Sequence, residues 1–290
     1  LVTIFIIAAG VGIFVAKVGR FPYTIALLIA GLTASVLGVS MEHIVLSHDL
    51  ILLVLLPPLL FEGAATTDLE YLRRNIVPIL AMAVAGLLLS ILVLGVVGTY
   101  ALGFPLIISL LFAAMILPTD PVSVLALFEE LGAPERLATL VEGESLVNDG
   151  VGVVVFSALL VYATGEQSAE QLFTQAGVGD LLLQIVFFSL GGLFVGLAAG
   201  AVVYNVMVNL DEHMTEIVLT LILAFGSFIL AEHYLHVSGV IATVVAGLFI
   251  GNRGAEYAMS PQTKISVFNT WEAGAFLVNT FIFLMIGVKT

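Results

Sequence analysis

The chain has 290 residues, of which 61% are hydrophobic and only 10% are charged, and its formal net charge is −13. This composition excludes a soluble globular domain and is typical of a polytopic helical membrane protein. A closed β-barrel is excluded as well, because barrels show short alternating segments and this chain has long apolar runs. The chain contains no basic run, so the sequence gives no support for nucleic-acid binding.

Apolar runs separated by Gly, Pro and charged clusters predict an all-α fold of about ten transmembrane helices in one domain, residues 1–290. The predicted spans are 1–17, 22–38, 49–62, 75–100, 104–127, 138–163, 179–207, 215–232, 237–251 and 267–288. Several of these spans are short or contain Pro. We therefore expect interrupted helices within the bundle.

The basic residues predict the orientation, because cytoplasmic loops of membrane proteins collect Lys and Arg. With the N-terminus outside, seven of the eight basic residues lie on the inner side and Lys289 lies on the outer side. The seven are Lys17, Arg20, Arg73, Arg74, Arg136, Arg253 and Lys264. We expect a multi-pass protein of the cell membrane with its N-terminus outside.

A faint internal repeat relates Ile25–Leu32, "IALLIAGL", to Ile241–Leu248, "IATVVAGL", at an offset of 241 − 25 = 216. Chance is the alternative explanation, because Ala, Gly, Ile and Leu are common in every membrane helix. The two segments run in opposite directions on the predicted map, as in the inverted repeats of secondary transporters. We expect a first repeat over about 1–163 and a second from about 215. The second repeat is incomplete, with the last two or three helices absent from this chain.

The motif "LPTDPVSV", Leu117–Val124, places two prolines around Thr119 and Asp120 inside an apolar run. Two prolines so close together predict a broken helix at 117–124. The freed carbonyls and the Thr119 hydroxyl are oxygen donors that suit a hard cation, and Asp120 adds a negative charge. The alternative is a kinked helix in which Asp120 caps the second half.

The motif "EGESLVND", Glu142–Asp149, puts three carboxylates into another span. Each charge at mid-membrane costs about 2.5–3.5 kcal/mol, so the group requires partners, protons or bound cations. Helical spacing places Glu142, Ser145 and Asp149 on one stripe. Asn148 follows Glu144 by one turn.

Asp149 is predicted to be the titrating group, because it lies about eleven residues into the helix, near the middle of the membrane. A carboxylate there can hold a proton or a cation but not both, and this competition is sufficient for exchange. The alternative is a structural ion pair, for which the predicted spans offer no Lys or Arg.

A third motif, "LLPPLLFEGA", bends the third span and ends near Glu62, which can equally be an interfacial acid. The chain has no phosphate-binding loop, no HExxH motif and no Cys. We therefore expect a transporter that is not an enzyme and that has no cofactor.

The segment Pro118–Phe156, with "TDP" and "EGES..ND" in order, resembles the core of the cation/proton antiporter-1 family, which includes NhaP-type and plant salt-overly-sensitive exchangers. "LLPPLLFEGA", "AGLFIGNRG" and "WEAGAFLVNTFIFLMIG" resemble further helices of these exchangers, so the similarity extends over nearly the whole chain. The resemblance implies sodium/proton exchange, sodium transport and pH homeostasis by a homodimer in a lipid bilayer.

Residue by residue, the resemblance implies that Asp149 binds the proton and the ion. It implies that Asn148 accompanies electroneutral exchange. Ser145 and Glu144, with Thr119 and Asp120 from the broken helix, would contribute to the Na+ site. The family's basic partner of the acid matching Glu144 lies on a later helix that this chain lacks.

Two other functions remain open at this point. The same carboxylates could line a cation channel, or the chain could be a transport-incompetent fragment. The sequence does not decide between Na+, Li+ and K+, and it leaves the roles of Glu142 and Glu62 open.

Overall fold

A computed structural model describes residues 2–18, 22–37, 47, 49–119, 121–165, 172, 174–210 and 212–289. Across these residues the chain is helical and contains no β-strand. The predicted all-α class is therefore confirmed. It follows from the apolar runs, because a helix in lipid satisfies its own backbone N–H and C=O groups.

The first three helices are α1 (Val2–Val18), α2 (Tyr23–Val36) and α3 (Leu50–Thr66). Helix α3 begins with π-helical turns, in which the Leu56 N–H donates to the Ile51 carbonyl. Pro57 and Pro58 follow in the first turn of regular α-helix, where a missing N–H disrupts fewer bonds. The double proline thus changes the winding of α3 without ending the helix.

The short helix α4 (Leu69–Arg74) was not predicted. Asp68 caps it, because the Asp68 carboxylate accepts hydrogen bonds from the N–H groups of Glu70 and Tyr71. Helix α5 (Ile76–Leu102) follows and ends at Gly103, whose φ of 73° lies in the left-handed region that favours glycine. Polar caps and glycine therefore set these boundaries.

The predicted span 104–127 consists of two helices, α6 (Leu106–Ile116) and α7 (Val122–Leu131). The interruption lies between them, inside the predicted 117–124. Pro121 starts α7, since its carbonyl accepts from the Leu125 N–H at 2.8 Å. The proline pair thus separates two helices, as their missing N–H groups predict.

The remaining helices are α8 (Glu135–Ala163), α9 (Gln175–Met207), α10 (His213–Tyr234), α11 (Gly239–Phe249) and α12 (Pro261–Lys289). The Glu212 carboxylate caps α10. Hydrogen bonds from the Thr215 side chain and backbone, and from the Met214 N–H, hold the pKa of Glu212 below its usual range. After α11, π-helical turns continue over Ile250–Gly254.

Five of these helices, namely α5, α8, α9, α10 and α12, are long and apolar enough to cross a membrane. Helices α1, α2, α3 and α6 are apolar but shorter. The count of about ten spans therefore stays a prediction.

Glycines bring two pairs of helices into backbone contact. A Cβ on Gly31 of α2 would lie 2.3 Å from the Leu284 carbonyl oxygen of α12, and Gly287 of α12 meets the α2 backbone equally closely. A Cβ on Gly247 of α11 would lie 2.9 Å from the Phe61 carbonyl oxygen of α3. Helix α2 therefore packs on α12, and α11 packs on α3, at distances that a larger residue would prevent.

Helix α8 is the most enclosed of the five long helices. In its most apolar window 56% of the residues are buried, against 22–39% in the other four. Val151, Val155 and Ala158 of α8 belong to one hydrophobic core with Ile107 and Leu110 of α6. The helix that carries the EGESLVND motif is thus the centre of the bundle.

Candidate functional site

The polar residues of EGESLVND face different surroundings along α8. Ser145 and Asn148 are buried, with 4% and 3% of their surface exposed. Glu142, Glu144 and Asp149 are partly buried. The motif therefore places hydroxyl, amide and carboxylate oxygens inside the bundle rather than on its surface.

Asp149 lines a cavity of about 370 Å³, which we call the Asp149 cavity. Its walls come from four elements: α3, α6 with the start of the interruption, α8 and α11. Its lining includes Leu60, Pro118, Asp149, Gly152, Val153 and Val240. A carboxylate at the wall of a largely apolar cavity can bind a small cation or a proton.

The interrupted helix is held directly against α8. The Ser145 hydroxyl donates to the Thr119 carbonyl oxygen at 2.7 Å. One turn beyond Asp149, a Cβ on Gly152 would lie 2.4 Å from Cγ of Pro118, so only glycine allows this approach. The predicted meeting of the broken helix with Ser145 is therefore present, and it is made through the backbone of Thr119.

Asn148 follows Glu144 by one helical turn, and its amide, the donor of the two groups, interacts with the Glu144 carboxylate. Among the described residues the buried Oδ1 of Asn148 has no hydrogen-bond partner. A buried amide oxygen without a donor is costly, and a bound cation is one way to satisfy it.

The side chain of Thr119, a predicted ligand, does not take part in this arrangement. The Thr119 side chain is exposed, and its carbonyl oxygen accepts from Ser145. Asp120 lies outside the described residues. Within the part of the chain that the structure describes, no three His, Cys, Asp or Glu side chains form a metal-binding group.

Glu142 belongs to a different set of contacts. Its carboxylate accepts from the Thr67 hydroxyl at 3.1 Å, just after the end of α3. Asn252 donates to the Thr67 carbonyl at 3.0 Å, so α8, α3 and the turns after α11 are linked. Glu62 lies in the electrostatic field of Glu272 and Glu142. Glu142 and Glu62 therefore lie at the end of the bundle where α8 begins, and Ala163, the last residue of α8, marks the opposite end.

Two carboxylates were missed by the sequence analysis. Glu216, in the first turn of α10, is only 1% exposed. Glu232, near the end of α10, is exposed, and its carboxylate accepts from the Gly239 N–H at 2.9 Å. The signal was an acidic residue at each end of one apolar run, but such positions more often lie in the interface than in the interior.

These features define a class: a helical membrane protein in which an interrupted helix packs on a buried, carboxylate-bearing helix. The transmembrane sodium/hydrogen exchanger family model matches residues 2–290. The chain belongs to this family, and it is an integral multi-pass membrane protein. The resemblance to NhaP-type exchangers is thereby confirmed.

Curated relatives agree with this assignment. The Na(+)/H(+) antiporter ApNhaP of Aphanothece halophytica is 40% identical over 268 residues, which cover 92% of this chain and 50% of the relative. The Na(+)/H(+) antiporter NhaP of Pseudomonas aeruginosa is 39% identical over 277 residues, covering 91% and 63% respectively. The chain thus spans between half and two thirds of the length of these two relatives.

A solved structure shares the fold. The sodium proton antiporter MjNhaP1 from Methanocaldococcus jannaschii matches with a TM-score of 0.79 over 99% of this chain and 68% of that chain. The sequence identity is 22%, so the match concerns the arrangement of the helices. The two chains therefore share a fold.

Proposed function

We propose that this chain carries out secondary exchange of a monovalent cation, Na+ with Li+ or K+ as alternatives, for protons. The gradients across the membrane drive the exchange, and no enzymatic step or cofactor takes part. The observation that carries the proposal is the position of Asp149. Its carboxylate lines a cavity of about 370 Å³ on the most enclosed long helix, beside an interrupted helix.

Competition at Asp149 is the proposed mechanism. The protonated carboxyl group has lost the charge that attracts a cation, and a bound cation excludes the proton. If the bundle opens to the two sides in turn, each opening exchanges one ion for the other. A channel would need no such competition, and no contact described above favours a channel.

Neutral oxygens complete the proposed ion site. The Asn148 Oδ1 atom and the Thr119 carbonyl are the best candidates, because the first is buried without a donor among the described residues and the second is held by Ser145. Ser145 positions the Thr119 carbonyl. Glu144 holds the Asn148 amide, and Asp120 is proposed to contribute charge from the interruption.

The position of Asn148 next to Asp149 also bears on the number of protons exchanged for each cation. A neutral amide leaves one exchangeable carboxylate at this position, so one proton is replaced by one monovalent cation. We therefore propose electroneutral one-for-one exchange.

An inverted repeat is part of the proposal. Helices α1, α2 and α3 correspond to α10, α11 and α12 at the offset of 216. The packing of α2 on α12 and of α11 on α3 supports it, because a two-fold relation exchanges these two pairs. Homodimer formation, an outside N-terminus and a location in the cell membrane are proposed with it.

The test is Asp149→Asn in reconstituted proteoliposomes. We expect Na+ addition to dissipate a preset pH gradient with the wild-type protein and without creating a membrane voltage. With Asp149→Asn the rate should fall to that of protein-free liposomes, because an amide cannot take up the proton. A pH-sensitive dye inside the vesicles measures the rate, and a voltage-sensitive dye measures the current.

The matched control is Asp180→Asn, the same change at an exposed position of α9. It should exchange at the wild-type rate, and both variants should elute as folded protein. Full exchange by Asp149→Asn would refute the site, and a large uncoupled current in the wild type would refute the antiporter.

A further inference from the structure

A second cavity, of about 180 Å³, lies along α8 on the Ala163 side of the Asp149 cavity. We call it the Glu232 cavity. Its polar lining consists of Ser157 from α8, Glu232 from α10, and His236 and Ser238 from the turn before α11. The rest of the described lining is apolar, and the cavity is open on one side. The cavity therefore combines one carboxylate with two hydroxyls and an imidazole.

The two cavities meet at one side chain. Among the described lining residues, Val153 is common to both. Asp149, Val153 and Ser157 are spaced by four residues, so they lie along one face of α8 about 6 Å apart. Val153 therefore lies between Ser157 and Asp149 on this face, with 36% of its surface exposed.

Glu232 is fixed at this position by the backbone. Its Oε2 atom accepts from the Gly239 N–H, the first residue of α11, at 2.9 Å. The turn that leads there includes His236 with a φ of 52°, a conformation that non-glycine residues rarely adopt. A carboxylate has two oxygens that can each accept more than one hydrogen bond, so this bond leaves it capacity for a cation.

We propose that the Glu232 cavity is an antechamber of the Asp149 site, in which Glu232 attracts monovalent cations and Val153 separates the two cavities. The proposal rests on the proposed exchange at Asp149. On the predicted orientation the antechamber opens to the outside. A fixed negative charge there raises the local concentration of cations, as charged clefts do for their ligands.

Two further titratable side chains bear on this charge. His236 lines the cavity, and His233 lies on the same turn of α10 as Glu232. The described lining from α8 and α9 is Val153, Val154, Ser157 and Phe188, none of which is charged. All variants are therefore compared at one fixed pH, so that the contribution of these side chains is the same in each.

The first test measures the electrostatic field directly and does not need transport. The chain has no Cys, so Ser157→Cys gives a single reporter in the cavity. We expect a cationic methanethiosulfonate reagent to modify Cys at 157 faster than an anionic one of similar size. Adding Glu232→Gln should lower the ratio of the two rates by about tenfold, since one nearby charge is lost.

Glu232→Gln removes the negative charge and keeps the hydrogen bond, because the amide oxygen of Gln can still accept from the Gly239 N–H. Glu232→Ala removes both the charge and the hydrogen bond. The rate ratio should therefore change equally in the two variants, and only Glu232→Ala should also lower the melting temperature. An unchanged ratio in Glu232→Gln would overturn the proposal, whether or not the wild type transports.

The second test asks for the effect on exchange. In membrane vesicles of both orientations, Glu232→Gln should raise the half-saturating Na+ concentration about threefold to tenfold on the Ala163 side. On the opposite side the half-saturating concentration should stay that of the wild type. Equal shifts on both sides would overturn the antechamber, and a wild type without exchange would instead refute the proposed function.

Discussion

The hydroxyl of Ser145 connects two elements that the sequence separates by a loop. It donates to the Thr119 carbonyl oxygen, and its side chain is 4% exposed. Glu142 shares its stripe on α8 but bonds Thr67 after α3. Residues of one stripe therefore have different partners, because the elements packed on α8 change along its length.

Ser145→Ala tests this contact. Losing a buried hydrogen bond costs about 1 kcal/mol, and it leaves the Thr119 carbonyl free to turn away from the ion site. We expect a lower melting temperature in detergent and a half-saturating Na+ concentration raised about fivefold. Thermal unfolding and dissipation of the pH gradient are the measurements.

Thr139→Ala is the control at the residue scale. Thr139 also lies on α8, and its hydroxyl donates to the Glu135 carbonyl within the same helix at 3.1 Å. It should leave the half-saturating concentration unchanged. If the two variants shift this value equally, Ser145 has no special role in the site.

At the scale of elements, the central feature is the contact of the interruption between α6 and α7 with α8. The prolines end α6 and start α7, and Gly152 lets Pro118 approach the backbone of α8. This approach also forms part of the wall of the Asp149 cavity. The break and the carboxylate helix therefore act as one structural unit.

Gly152→Ala should push the interruption between α6 and α7 away from α8. The new methyl group would lie 2.4 Å from Pro118 Cγ, so either the interruption or α8 must move. Overpacking of this kind costs about 1–3 kcal/mol, and the displaced wall should reduce exchange more than it reduces stability. Exchange rate and melting temperature are compared in the same preparation.

Gly226→Ala supplies the matched substitution in α10, where a Cβ would meet nothing within 4 Å. Alanine favours the helix at such a position, so the melting temperature should stay equal or rise. Unimpaired exchange in Gly152→Ala would show that the close approach of Pro118 is not needed for transport.

At the scale of the whole molecule, glycine contacts join helices from both halves of the chain, among them α2 with α12 and α11 with α3. The apolar side chains on the outside of α9, such as Leu183, Phe187 and Phe194, are exposed. In a membrane such a surface faces lipid. The bundle therefore carries apolar side chains on its outer surface as well as in its core.

The predicted orientation is tested by single cysteines, because the chain has none of its own. Thr164→Cys lies after the end of α8, and Gln262→Cys lies at the start of α12. In intact cells a membrane-impermeant maleimide should label the first and not the second, since the basic residues predict that Gln262 is inside. Both positions are exposed in the fold.

The reverse pattern, with labelling of Gln262→Cys alone, would place the N-terminus inside. Permeabilised cells provide the control, since both positions should then be labelled. The same pair of variants assigns the Glu232 cavity to one side of the membrane.

The sequence alone determined the helical class, the interruption at the prolines and the candidate carboxylate Asp149. These features depend on local chemistry: apolar runs, missing backbone donors and the cost of a charge in lipid. The sequence alone did not predict the short helix α4, because its six residues contain no apolar run.

Only the tertiary structure decided which oxygens meet. It put the Thr119 carbonyl, rather than its side chain, against Ser145, and it left the Asn148 Oδ1 atom buried without a donor among the described residues. It also brought Glu232 to the cavity next to Asp149. Such contacts depend on how closely helices distant in sequence pack, and glycines at their crossings set that distance in ways that no single segment reveals.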